Sequence, residues 1–144
     1  MIQHIDVHAV LRQSVSGSYT DLVTRPTGRA VRERIEQVIV AEASVARIDF
    51  TGVGCIDYSC ADEIVAKLLR ERLRVLLLSG LTDGHREAIE PVLAGHGLAV
   101  LLERPDGTLE PLGARDSAEA LLEDLIARRL ATRTPGGDLH LTAA

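Results

Sequence analysis

At 144 residues the chain has the length of one domain and can build a core without disulfides. Hydrophobic residues make up 46% and aromatics only 2%, so the core must be aliphatic; with a net charge of −5 and no basic stripe, nucleic acid is an unfavoured partner. Met1 opens no basic head or apolar run, and no apolar stretch approaches the ~20 residues of a membrane span, so the expectation is a soluble, cytoplasmic protein.

Ile5, Val7, Ala9 and Leu11 alternate like an edge strand, while Val7, Val10, Leu11 and Val15 fit a short helix capped by Asp6, and both readings stand. Ser14 to Ser18, with Gly17, reads as a turn, and Tyr19 to Thr24 as a strand closed by Pro26 and Gly28. A helix with Val31, Ile35, Val38 and Ile39 facing inward is expected from about Arg29 to Ala43, with Thr27 as its cap.

The stretch from Val45 to Leu69 organises the rest. Val45, Ile48, Phe50 and Val53 form a short buried strand that Gly52 and Gly54 break, and Ile56 to Tyr58 lead into a turn. From Ser59 the spacing becomes helical: Ala61, Ile64, Val65, Leu68 and Leu69 share one face, with Asp62, Glu63, Lys67, Arg70 and Glu71 opposite, and Glu63 and Lys67 placed to pair. Ser59 therefore sits at or near a helix start, where unpaired amides and the helix dipole favour a phosphate. The plainer alternative is a cap, because Ser59 to Asp62 resembles a capping box and Asp57 can also cap.

Arg74 to Ser79 is a continuous aliphatic run, as in a strand covered on both faces. Gly80 to Gly84 reads as a loop, with Thr82 or Asp83 capping a helix over roughly His85 to Ala94 that Pro91 should kink or split. Leu98 to Leu102 is a further strand, and Asp106-Gly107 suggests a hairpin whose second arm, Thr108 to Leu112, carries Pro111 and so belongs at an edge. Asp116 to Glu119 is a capping-box pattern opening a last amphipathic helix. Residues 132–144 read as a polar tail, disordered or adding one strand. The fold class is one α/β domain over residues 1–131, with a mixed, partly parallel sheet and helices packed against it.

The chemistry of cofactors finds little support. Thr51 to Ile56 lacks the third glycine of a dinucleotide fingerprint and the Gly-Lys of a P-loop. His4, His8, His85, His96 and His140 are scattered, with His4 and His8 on one helix face the best weak case for a metal. Asp49, Asp57, Asp62 and Glu63 cluster near the strand end, where a magnesium ion is conceivable. Cys55 and Cys60 are too far apart for a usual redox pair and read as buried small hydrophobes. No enzyme, metal or cofactor is expected.

In this register, Ile48 to Cys60 resembles the hallmark of the STAS domain family, the fold of anti-sigma factor antagonists: a strand ending in aspartate, a small apolar stretch, then an aspartate and a phosphorylatable Ser/Thr opening a helix. Arg74 to Asp83 resembles the family's next strand and loop, and Arg86 to Leu98 its following helix; the likeness covers about residues 28–102, with Asp116 to Leu125 fitting the closing helix. The resemblance places Ser59 on the phosphorylatable residue and Asp57 on the aspartate before it. It departs at Tyr58, at Cys60 in place of glycine, and at the charged Asp62-Glu63. It implies a regulatory protein-binding module that docks on an anti-sigma kinase of the histidine-kinase-like ATPase type and is released by phosphorylation of Ser59. The contacts would come from Asp57, Tyr58, Ser59, Cys60, Asp62 and Glu63, and from Thr82 and Asp83 on the neighbouring loop. The alternatives are a phosphorylation-independent STAS-like subunit binding a transporter ATPase or other partner, and a small redox or metal enzyme.

Overall fold

Five strands pair in chain order into one sheet: β1 (Ile2–Asp6), β2 (Val45–Asp49), β3 (Leu76–Ser79), β4 (Ala99–Glu103) and β5 (Leu109–Gly113). The first four run parallel and β5 returns antiparallel to β4, giving an α/β domain with a mixed, mostly parallel sheet. The computed structural model describes residues 2–14, 20–39, 45–71 and 76–142. Strand alternation sends Ala46, Ile48, Leu76, Leu78 and Val100 to one face and Val45, Leu77, Leu101 and Leu109 to the other. This is why the run at Leu76 to Leu78 is apolar without interruption: both faces of β3 are covered.

The first face carries most of the helices. They are α1 (Val7–Ser14), α2 (Arg25–Val38), α3 (Tyr58–Ala61) continuing through a π-helical stretch (Asp62–Lys67) into α4 (Leu68–Glu71), and α5 (Asp83–Gly95). The second face is covered in part by α6 (Arg115–Ala127) and by a small hairpin of β6 (Ala131–Arg133) and β7 (Leu139–Leu141). Among the described residues no helix is long and apolar enough to cross a membrane.

Local chemistry explains where the elements depart from the sequence reading. At the N-terminus the helix reading holds and the alternating strand does not: Val7, Ala9 and Leu11 lie in α1, whose Ala9 amide donates to the Asp6 carboxylate at 3.2 Å, and the strand is the earlier stretch that ends at Asp6. Helix α2 starts at Arg25 rather than Arg29, because Pro26 sits in the first turn, where its missing N–H costs nothing. Thr27 does not cap it; the flanking residue is Thr24, whose hydroxyl meets that of Thr27 at 3.2 Å. Residues 20–24 form no strand ladder, only a single bridge from Leu22 to Ile56. Helix α5 runs unbroken through Pro91. Helix α6 follows Ala114 without a side-chain cap, and Ser117 instead donates to the Gly97 carbonyl at 2.6 Å.

The Asp106-Gly107 hairpin forms, with Gly107 at φ 87° and Pro111 on the edge strand β5. The segment read as a polar tail folds back: Leu139 is buried against Ala131 and Leu125. The turn at 14–18 beyond Ser14, Tyr19, the helix end beyond Ile39, the start of the strand at Arg74 and Val75, and Ala143 and Ala144 lie outside the described residues.

Candidate functional site

Asp57 fixes the geometry around Ser59. Its extended backbone (φ −97°, ψ 174°) ends the segment after β2, and its Oδ1 accepts from the Cys60 amide at 2.9 Å and from the Ser59 hydroxyl at 2.7 Å. Its Oδ2 accepts from the Thr24 amide at 2.9 Å. Asp57 is thus the helix cap, and the Ser59–Asp62 capping box does not form. Partial burial opposes the charge of Asp57, but the hydrogen bonds from Cys60, Ser59 and Thr24 outweigh it and hold the carboxyl below its ordinary range. Residues 20–24 anchor the approach: Leu22 donates to the Cys55 carbonyl at 2.8 Å, and Asp57 donates to the Leu22 carbonyl at 3.0 Å.

Ser59 and Tyr58 stand at the surface of this corner. Tyr58 is 63% exposed, and Ser59 is partly buried. Together they line a shallow groove of about 530 Å³ with Arg25, Asp62, Pro91, Val92 and His96. The wall opposite Ser59 is the C-terminal end of α5. Thr82 and Asp83 lie at the other end of that helix, roughly 20 Å away along 13 residues. Thr82 caps α5 instead: its hydroxyl accepts from the His85 amide at 3.2 Å, and its own amide donates to His85 Nδ1 at 3.1 Å. Asp83 is exposed in the first turn.

The acidic pair after Ser59 is neutralised. Asp62 accepts from Arg25 at 2.8 Å and faces His96 Nε2 at 3.1 Å. Glu63 corrects the sequence reading: it is fully buried rather than on the helix surface. It does pair with Lys67 (2.9 Å), and also with Arg25 (2.9 Å) and Arg32 (3.0 Å). Burial penalises its charge, yet these three cations more than offset that and lower its carboxyl to about 2. Such a group holds the helix from beneath and is not a surface contact.

Cys60 is likewise fully buried, with its thiol donating to the Thr24 carbonyl at 3.2 Å. Burial and the Asp57 charge push this thiol up to about 12, which keeps it protonated. Cys55 is exposed, contrary to the reading of both cysteines as buried. His4 and His8 do not share a helix, since His4 lies in β1 and His8 in α1. Among the described residues no three His, Cys, Asp or Glu side chains gather as metal ligands, and Asp49 lies apart from Asp57, Asp62 and Glu63.

Sequence reasoning missed Arg25, Pro91, Val92 and His96, which tertiary packing alone brings to the Ser59 groove from positions about 30 or more residues away, and Arg32, which packing brings to Glu63. The chain has no match among protein-family models, curated proteins or solved structures.

Proposed function

We propose that the chain is a STAS-like regulatory module that binds a protein partner through the corner formed by Tyr58 and Ser59, without catalysis of its own. The observation that carries this reading is the exposed Tyr58 beside the partly buried Ser59, over a groove walled by α5. An exposed aromatic next to a concave surface is a common anchor for protein contacts. The acidic pair after Ser59 does not oppose it. Asp62 and Glu63 are held by Arg25, Arg32, Lys67 and His96, so their charge is not free to repel a phosphate on Ser59.

In this mechanism the unmodified corner docks on the partner, by resemblance an ATPase-type kinase. Phosphorylation adds roughly −2 charge and removes the hydroxyl proton that Ser59 gives to Asp57, so repulsion and desolvation at the contact release the partner. A second reading, binding without phosphorylation to a transporter ATPase or other partner, is favoured by that same 2.7 Å hydrogen bond, which gives the hydroxyl a structural task. The tagged chain, captured from its own cells as wild type, Ser59→Ala and Ser59→Asp, with Tyr58→Ala alongside, separates the two. The switch predicts a kinase held by wild type and Ser59→Ala, lost with Ser59→Asp, and able to phosphorylate Ser59. A partner held equally by all three favours the second reading, and none dependent on Tyr58 removes both.

A further inference from the structure

The Ser59 groove carries donors on two of its walls. Arg25, the first residue of α2, and His96, the residue after α5, both line it. Their side chains converge on Asp62, at 2.8 Å from Arg25 Nη1 and 3.1 Å from His96 Nε2. Asp62 lies three residues after Ser59, on the same side of the helix, and lines the groove with it. A second link ties Ser59 to α2. The Asp57 carboxylate accepts from the Ser59 hydroxyl through Oδ1 and from the Thr24 amide through Oδ2, so α2 begins within one carboxylate's span of Ser59.

Arg25 is only half engaged. Its bonds to Asp62 and Glu63 both leave from Nη1, at 2.8 and 2.9 Å. Its Nε and Nη2 meet no acceptor among the described residues, and neither is sealed, the side chain being 42% exposed. Those two atoms form the edge of a guanidinium that fits a phosphate with parallel bonds, and here that edge is accessible. His96 is also half-exposed, and its Nε2 must carry a proton to meet the Asp62 carboxylate.

Resting on the reading of Ser59 as the switch, we propose that a phosphate there is captured within the chain, by the Nε–Nη2 edge of Arg25 and by His96 Nε2. To form it, Ser59 Oγ takes the γ-phosphoryl group of ATP, ADP leaves and the hydroxyl proton is lost, which ends the bond to Asp57. The group carries roughly −2 charge and three acceptor oxygens. The carboxylates facing it are Asp57 and Asp62, which turn it towards the two donors, while Glu63 lies buried among its own cations. Once held, the phosphate bridges α3 to α2 and α5 and fills the groove a partner would enter, so release follows from occlusion as well as repulsion.

The full chain with phosphoserine encoded at position 59 needs no kinase and tests the capture alone. The expected result is an Arg25 Nε–H signal that moves downfield and exchanges slowly with water only in the phosphorylated chain. The ³¹P titration midpoint should rise by about one pH unit in Arg25→Gln and by less in His96→Gln, and move little in Arg29→Gln, one turn along α2 and exposed. The proposal is overturned if the Arg25 signal is the same with and without the phosphate, or if Arg25→Gln moves the midpoint no more than Arg29→Gln does. Either result leaves the switch standing, since repulsion alone can release a partner. A captured kinase that never phosphorylates Ser59 would remove the switch instead, with the capture still measurable on the encoded phosphate.

Discussion

Glu63 receives Arg25, Arg32 and Lys67 while fully out of contact with solvent, so its removal takes away the carboxylate that Lys67 pairs with and one of the two that Arg25 and Arg32 each hold. Breaking such a network by deleting one partner costs about 3–5 kcal/mol, and Glu63→Ala should lower the urea midpoint accordingly. The pH dependence follows from the sign of the shift. The folded carboxyl lies at about 2, below its ordinary value of 4.5, so its contribution is complete above pH 4.5 and is lost as the pH falls towards 2. Chemical denaturation at pH 7 and pH 3 should show wild type losing stability on acidification and Glu63→Gln losing less. Asp57→Ala removes the acceptor for the Cys60 and Thr24 amides at once, and should cost about 1–2 kcal/mol in the same measurement. The Glu63–Lys67 pair and Asp57 as a cap were readable from spacing, but the burial was not: a helical period puts Glu63 opposite the apolar face, and only the arrival of α2 with its arginines buries it.

At the scale of elements, the crossing of α2 over α3 decides how the corner is held. A side chain at Gly28 would place its first carbon 2.9 Å from Cys60 Cα and 3.1 Å from its Sγ, so the helices meet where only glycine fits. Gly28→Ala should therefore destabilise by about 1–3 kcal/mol through overpacking, read by thermal unfolding, although alanine favours helix elsewhere. The strands were legible because β3 is an aliphatic run closed by Gly80, β4 one opened after Gly97, and β2 carries Val45 and Ile48 ahead of Gly52, and the β4–β5 hairpin because Asp106-Gly107 has one obvious use. The helix starts were less so. Capping patterns at Ser59–Asp62 and Asp116–Glu119 are present in sequence, but Asp57 takes the first role and Ser117 bonds across to Gly97. A short polar residue near a helix end has several backbone partners within reach, and the fold chooses among them.

At the scale of the whole molecule, the sheet is heavily covered on one face and partly on the other, and residues 132–142 add to that second cover through Leu139 and Leu141. Leu139 is 4% exposed, against Leu125 and Ala131. A chain ending at Ala131 should lose about 2 kcal/mol from the loss of the buried Leu139 side chain alone, seen as a lower denaturant midpoint. A disordered tail would leave the midpoint unchanged. The polar composition of 132–144 concealed this, since Leu139 and Leu141 alternate over only three residues, too short a stretch to detect a period. The proposed partner contact likewise depends on whole-molecule placement, because the start of α3 and the end of α5 meet only in the folded chain. Photo-crosslinking from a benzoylphenylalanine in place of Tyr58, with the same probe at exposed Glu119 on α6 as control, tests that contact most directly. The account predicts one defined protein adduct from position 58 and none from position 119. Adducts from 119 alone, or the same set from both positions, would contradict it.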